Sequence, residues 1–338
     1  GSVSGVLVWT YYGVAALLSL GFTLGKRRLG LLLRWRKDIR QPQGFGRSNW
    51  PVGKTGALLS LAAVVVLVWT ADASLPDGKL HVDFLDVGQG DAIFIQTPEG
   101  RQVLVDGGPD PRRLLNALGK RMPFWDRTLD VIVLTHAQED HLAGLLEVLR
   151  RYRVAVVVDN PCPSDCPLYA TWRSLVDMEN ARVLEATEGQ TIKLGDSVLL
   201  EVLNPPVPPL EGTSSDVNNN ATVVRLRHGG VSFLLTGDIQ WEGEASLIDR
   251  GNVLADTVLK VAHHGSATSS SQEFLDSVRP LLAVVSVGEK NRYGHPNQEV
   301  MARLAITTGE PENVLTTMQH GDVDMVSDGQ KLVVRTQR

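Results

Sequence analysis

Residues 131–145 read VIVLTHAQEDHLAGL. The first four positions are apolar without a break, and such a run is a strand covered on both faces. Leu142, Leu145, Leu146 and Leu149 then recur at helical spacing, the apolar face of an amphipathic helix. Between strand and helix stands H-x-Q-x-D-H: His136, Gln138, Asp140 and His141. A sheet end is rigid enough to aim several side chains at one point, and imidazole beside carboxylate suits divalent transition metals. Gln138 is the anomaly. Its amide oxygen carries no net charge, where Asp or His would hold a cation more strongly.

The same punctuation recurs on both sides. LHVDFLDVGQGDAIFIQT alternates, breaks at Gly88-Gln89-Gly90 and resumes; GRQVLVDGG, VAVVVD, SVLLEVLNPP, DTVLKVAHHGS and LLAVVSVG are further strands. In NNATVVRLRHGGVSFLLTGD, the pair Gly229-Gly230 makes a hairpin turn and Asp238 ends the second strand. Helices are expected over residues 111–120, over SQEFLDSVRP with Ser270 and Glu273 as its capping box, and over HPNQEVMARLAITTG, closed near Gly309. Strands and helices interleave, yet hairpins are frequent. That pattern predicts two mixed sheets covered by helices rather than one doubly wound parallel sheet. Five of the eight histidines, His136, His141, His263, His264 and His295, fall at strand ends beside Gly, Asp or Ser. Any one of them alone reads as a capped helix or a hydrogen-bonded side chain; together they read as a site.

These motifs in order, THAQEDHLAG, LLTGD and KVAHHGS, resemble the metallo-β-lactamase fold superfamily. FLDVGQGDAIFIQ, NNNATVVRL, HHGSATSSSQEFL and NRYGHPNQEV narrow the resemblance to the extracellular domain of ComEC-type competence channels. It covers residues 79–338 and implies an α/β (α+β) fold, the αββα four-layer sandwich, with two divalent metal ions in the cleft between the sheets. Carried over by position, His136, Asp140, His141, Asp238 and His264 are metal ligands, with Gln138 at a ligand position. Asp86 matches a strand-end aspartate that orients the ligands. His263 and His295 lie near the cleft and are candidates for proton transfer. Asn219 and Asn220 fall where other superfamily members place a further histidine, for which His228 is a poor substitute. An oxygen-rich, charge-poor subsite at Gln138 favours Mn²⁺, with Zn²⁺ and Mg²⁺ as alternatives. The activity implied is a metal-dependent phosphodiesterase or nuclease that degrades one strand of incoming transforming DNA, single- or double-stranded. A non-catalytic DNA-guiding or gating domain with a decayed metal site is the alternative, and hydrolysis of another phosphodiester is a third reading.

The first eighty residues have another character. Residues 3–25 and 55–71 carry no charge, and an apolar stretch of about 17 to 25 residues is long enough to span a bilayer. Transmembrane helices are therefore expected over 3–25 and 55–75. A signal peptide fails on its flanks, because bases follow the first stretch and none precede it; a buried helical hairpin is the other alternative. Residues 26–54 hold nine Lys/Arg and one acid, so this loop is expected in the cytoplasm. Residues 76–338 would then be extracytoplasmic on a cell membrane, beside the rest of the uptake channel. Gly1-Ser2 reads as a tag scar, with native chain expected upstream. Residues 55–338 hold 24 bases and 37 acids, a net of −13, which is unusual for a partner of DNA. Cys162 and Cys166, in NPCPSDCP, read as a disulfide in an oxidising compartment, with free thiols the alternative.

Overall fold

The structure is a computed structural model that describes residue 56 and residues 59–67, 75–162 and 164–338. Fifteen strands among these residues form two sheets. The first has the order β15 (Leu332–Thr336), β14 (Val323–Ser327), β1, β2, β3, β4, β5, β6, and the second β13, β12, β11, β10, β9, β8 (Val198–Asn204), β7 (Thr191–Lys193). In the first, β1 (Leu80–Phe84), β2 (Ile93–Gln96) and β3 (Gln102–Val105) run antiparallel, whereas β3, β4 (Thr128–Val133), β5 (Arg153–Asp159) and β6 (Arg182–Glu185) are parallel. In the second, β9 (Val223–His228) and β10 (Val231–Leu235) form the hairpin expected at Gly229-Gly230. From β10 the sheet continues parallel through β11 (Val258–Lys260), β12 (Leu282–Val285) and β13 (Val314–Thr316).

Three apolar layers hold these sheets. Between the sheets lie Val103, Val105, Val131 and Val133 from one side and Val224, Leu226, Phe233 and Leu235 from the other, all buried. The intervening residues Leu104 and Ile132 point outward, under α1 (Pro111–Arg121), α2 (Glu139–Leu149) and α3 (Tyr169–Glu179). Leu234, Leu259 and Ala283 do the same on the other side, under α5 (Trp241–Asp249), α6 (Gln272–Val278) and α7 (Gln298–Thr308); α4 is the short Asp216–Asn219. Alternate residues of one strand therefore enter two different cores, which explains why VIVL is apolar throughout. The arrangement is the αββα sandwich expected.

Three expectations need correction or restriction. Helix α6 is capped by Ser271, whose side chain accepts the Phe274 N–H, and not by Ser270. The Ser270 and Ser271 N–H groups both donate to the buried Glu244 carboxylate, which sets the start of the helix one residue later. Cys162 and Cys166 are free thiols. Each backbone is tied into its own turn: Cys162 N–H donates to Asn160 Oδ1 at 2.8 Å and Cys166 N–H to Ser164 Oγ at 3.1 Å. Cys166 also packs with Leu168 and Tyr169 against the outer core. Denatured, unreduced protein is accordingly expected to take up two equivalents of maleimide per chain, and a chain that takes up none would mean a bonded pair. In the native protein Cys162 should react slowly, because burial and then Asp216 push its thiol up to about 11. Lastly, the segments 3–25 and 26–54 lie outside the described residues, and of 55–75 residues 56 and 59–67 are helical. Among the described residues no helix is long and apolar enough to cross a membrane.

Candidate metal centre

The site forms where strands of both sheets end. From the first sheet, Asp91 precedes β2, Asp106 follows β3, and His136, Gln138, Asp140 and His141 follow β4. From the second, Asp238 follows β10, Lys260 ends β11, and His263 and His264 follow it. Gly90 makes one approach possible. A Cβ there would sit 2.1 Å from the Asp140 carbonyl oxygen, and with none the chain closes until Asp91 N–H donates to that oxygen at 3.2 Å.

One ligand atom each from Asp140, His141, Asp238 and His264 lie within 4.8 Å of one another. Asp238 Oδ2 is 3.3 Å from His141 Nε2 and 3.4 Å from His264 Nε2; Asp140 Oδ2 is 3.4 Å from His264 Nε2. Each imidazole is turned by its other nitrogen. His141 Nδ1 meets Asp106 Oδ2 at 2.8 Å, and His264 Nδ1 meets the Ser286 carbonyl at 2.9 Å. Thr135 donates its hydroxyl to Asp106 and therefore accepts from His136 Nδ1, at 3.0 Å. These partners orient the rings so that each Nε2 faces the cluster, and with a cation bound each Nε2 would be the deprotonated end. The Nε2 atoms of His136, His141 and His264, with Asp238 Oδ1, are buried and have no hydrogen-bond partner. A buried polar atom left unpaired costs about 1–3 kcal/mol, and those of His141, His264 and Asp238, which cluster with Asp140, fit a divalent cation; His136 lies outside that cluster.

Charge balance says the same. Asp91, Asp106 and Asp238 are buried, and the half-buried Asp140 joins Asp238 at the cluster. Burial opposes a charged His264, but Asp238 and Asp91 overcome it and hold the ring up at about 10, so without metal it carries a proton. Burial, then His141, presses His136 down to about 3, which keeps it neutral. A bound cation would displace the proton on His264 and take over its charge.

Sequence reasoning missed Asp91, Asp106 and Lys260. Lys260 is buried; its ammonium meets Asp91 Oδ2, donates to the Gly237 carbonyl at 2.9 Å and lies 3.7 Å from Asp238 Oδ1. A lone Lys within the apolar VLKVA run was the available signal. Asp86 is a correction. Its carboxylate lies 3.5 Å from Arg113 Nη1 and 3.2 Å from Arg338 Nη2, and Asp106 is the residue that orients His141. The loop turns Asp86 outward and Asp91, five residues on, inward. Asn219 and Asn220 also do other work. Asn219 Oδ1 accepts the N–H groups of Gln240 and Gly243, and both ends of the Asn220 amide bond Leu210. His228 packs by Gly329 at the far end of β9.

Asn218 is the amide that meets Gln138, its Oδ1 accepting from Gln138 Nε2 at 2.7 Å. That bond engages the amide nitrogen of Gln138 and leaves Oε1 as its acceptor end. His263 and His295 line the mouth, ring centroids 5.6 Å apart, with His263 Nε2 3.9 Å from Asp238 Oδ2. Asn291 grips His295 by both backbone groups, at 2.8 and 3.0 Å. Burial, then His263 and His264, holds His295 down to about 4.

With that geometry in place, the comparisons can be read. The profile described as Metallo-beta-lactamase superfamily matches residues 85–289. The chain belongs to the metallo-β-lactamase superfamily. Members are generally metal-dependent hydrolases, as the cluster at Asp238 would require. The chain is 33% identical over 261 residues to ComE operon protein 3 of Bacillus subtilis, covering 72% of this chain and 32% of that protein. It is 31% identical over 264 residues to Competence protein ComA of Neisseria gonorrhoeae, covering 78% and 34%. Recombination protein 2 of Haemophilus influenzae is 30% identical over 324 residues, covering 89% and 38%. The chain thus spans about a third of the length of the curated relatives it matches. The relatives are consistent with a ComEC-type competence protein.

Gln138→Asp is expected to strengthen the subsite beside His136. A unit charge about 4 Å from an ion contributes a few kcal/mol at intermediate dielectric, so tightening of at least about tenfold should follow. Calorimetric Mn²⁺ titration of wild type should give one tighter and one looser site, with only the looser one shifted by the substitution. Identical titrations would mean that position 138 does not face the cation.

Proposed function

We propose that residues 79–338 form a divalent-metal-dependent phosphodiesterase that cleaves DNA during its uptake, on the outer side of the membrane. The clustering of the His141 and His264 Nε2 atoms with the Asp140 and Asp238 carboxylates carries the hydrolytic part of this reading, and the likeness to competence proteins, through the resemblance to DNA-uptake channels, suggests DNA as substrate. The apolar segments 3–25 and 55–75, with the basic 26–54 between them, supply the membrane anchor.

Asp140, His141, Asp238 and His264 would hold one ion, and His136 with Gln138 Oε1 and a share of Asp238 a second, more weakly; Mn²⁺ suits this oxygen-rich set best. Bound there, divalent ions supply Lewis-acid charge for the developing phosphorane and a lowered pKa for water. The protein's own part is to hold that chemistry in register. Asp106 and Ser286 aim the two imidazoles, and Lys260 braces Asp238 and Asp91. His263 and His295 stand at the mouth, placed to exchange a proton with the leaving oxygen.

The test is cleavage of single-stranded and duplex DNA by the purified chain with Mn²⁺ and with EDTA. Metal-dependent cleavage supports the reading. No cleavage, together with retained DNA binding, would favour the gating alternative.

A further inference from the structure

A cavity of about 260 Å³ lies between the Gly88-Gln89 turn, which leads into Asp91, and residues 288–291. It rests on the nuclease reading, and we propose that it seats a backbone phosphodiester of the nucleic-acid strand, next to the one being cut. Arg113, Lys290 and Arg338 line it, against Asp86 and Glu289. Asp86 is shared between Arg113 and Arg338. Lys290 is exposed and makes no ion pair among the described residues, so its ammonium is open to a ligand. Gln89 lines the wall too, and its Oε1 accepts the Gly288 N–H at 3.2 Å, which ties the two sides of the cavity together. Arginine and lysine cations gathered in one cavity are what a phosphate oxyanion recognises.

The position fits one strand crossing both features. Gln89 is two residues from Asp91, a reach of at most about 7 Å, and Asp91 Oδ1 is 3.5 Å from His264 Nδ1. On the opposite wall Asn291 both lines the cavity and holds His295 at the mouth of the metal cluster. A strand whose scissile phosphate sits at Asp238 would bring a neighbouring phosphate here. The subsite also answers the net charge of −13 over residues 55–338: affinity needs a local run of cations and not a basic domain.

The test is fluorescence anisotropy of a short labelled single-stranded DNA in EDTA, titrated across salt concentrations. Lys290→Ala and Arg113→Ala should each weaken binding several-fold. Each should also flatten the slope of log affinity against log salt by about 0.7, the amount for one lost single-strand phosphate contact. Lys331→Ala, in the turn between β14 (Val323–Ser327) and β15 (Leu332–Thr336), should change neither. Unchanged slopes for Lys290→Ala, or an equal change for Lys331→Ala, overturn the subsite. If inorganic phosphate displaces the strand as effectively as unlabelled DNA, the cavity holds a free phosphate and the strand reading is overturned. Binding is read without metal, so absence of cleavage by wild type would defeat the nuclease reading while leaving this result to stand or fall separately.

Discussion

Asp140→Ala should lower Mn²⁺-dependent DNA cleavage by at least about 100-fold, or roughly 2.7 kcal/mol of transition-state stabilisation. Asp140 opens α2, with its carboxylate 3.4 Å from His264 Nε2 and 3.9 Å from His141 Nε2, and is the most exposed of the four clustered ligands. Its removal takes one charge from the cation without opening a core cavity, so stability should change little. Asp140→Asn keeps the shape and one oxygen while removing the charge, and it should retain more activity than the alanine variant. The measurement is the initial rate at saturating Mn²⁺ for the three proteins purified in parallel. Equal rates for wild type and Asp140→Ala would assign the cleavage to a contaminant and remove the support for hydrolysis at this site.

Lys260→Met should reduce stability by about 3–5 kcal/mol in EDTA, the range for breaking a buried ion pair from one side. For a domain of this size that is a fall in Tm on the order of 10 °C. The ammonium is buried against Asp91 and lies beside Asp238, and methionine would leave both carboxylates without it. The loss should shrink in Mn²⁺, because the ion faces the same Asp238 and restores positive charge. Calorimetric scans with and without Mn²⁺ separate these terms. A Tm unchanged in EDTA would mean that Lys260 does not neutralise the pair, and an equal loss in both conditions would mean that it and the ion act independently.

The fold was legible because strand periodicity and strand-end chemistry are local. VIVL predicted a strand covered on both faces, and the structure places alternate residues in two cores. Asp140, His141, Asp238 and His264 were legible for the same reason, each standing beside its strand or helix terminus. Asp86 against Asp91 was not, since both flank one glycine loop and only its turn decides which faces inward. Lys260 was hidden by a rule that ordinarily holds: a lysine in a strand points to solvent, unless distant carboxylates meet it. The roles of Asn219 and Asn220 were open in the sequence, because position alone does not tell a side chain that closes a turn from its neighbour Asn218, which bonds Gln138. The cysteine pair failed because spacing does not encode the separate turns into which each cysteine's backbone is tied.

Asp91, Asp106, His136, Asp140 and His141 come from one sheet, and Asp238, Lys260 and His264 from the other. The distance between the two half-sites is therefore set by the apolar layer between the sheets, where Val133 and Leu235 are buried. That layer acts as a gauge block for the ion. Enlarging or shrinking a residue there slides one jaw relative to the other by fractions of an ångström, which is the scale on which Mg²⁺, Mn²⁺ and Ca²⁺ differ in bond length. Substitutions deep in this core, touching no ligand, should thus alter which ion is preferred as well as how firmly the protein folds.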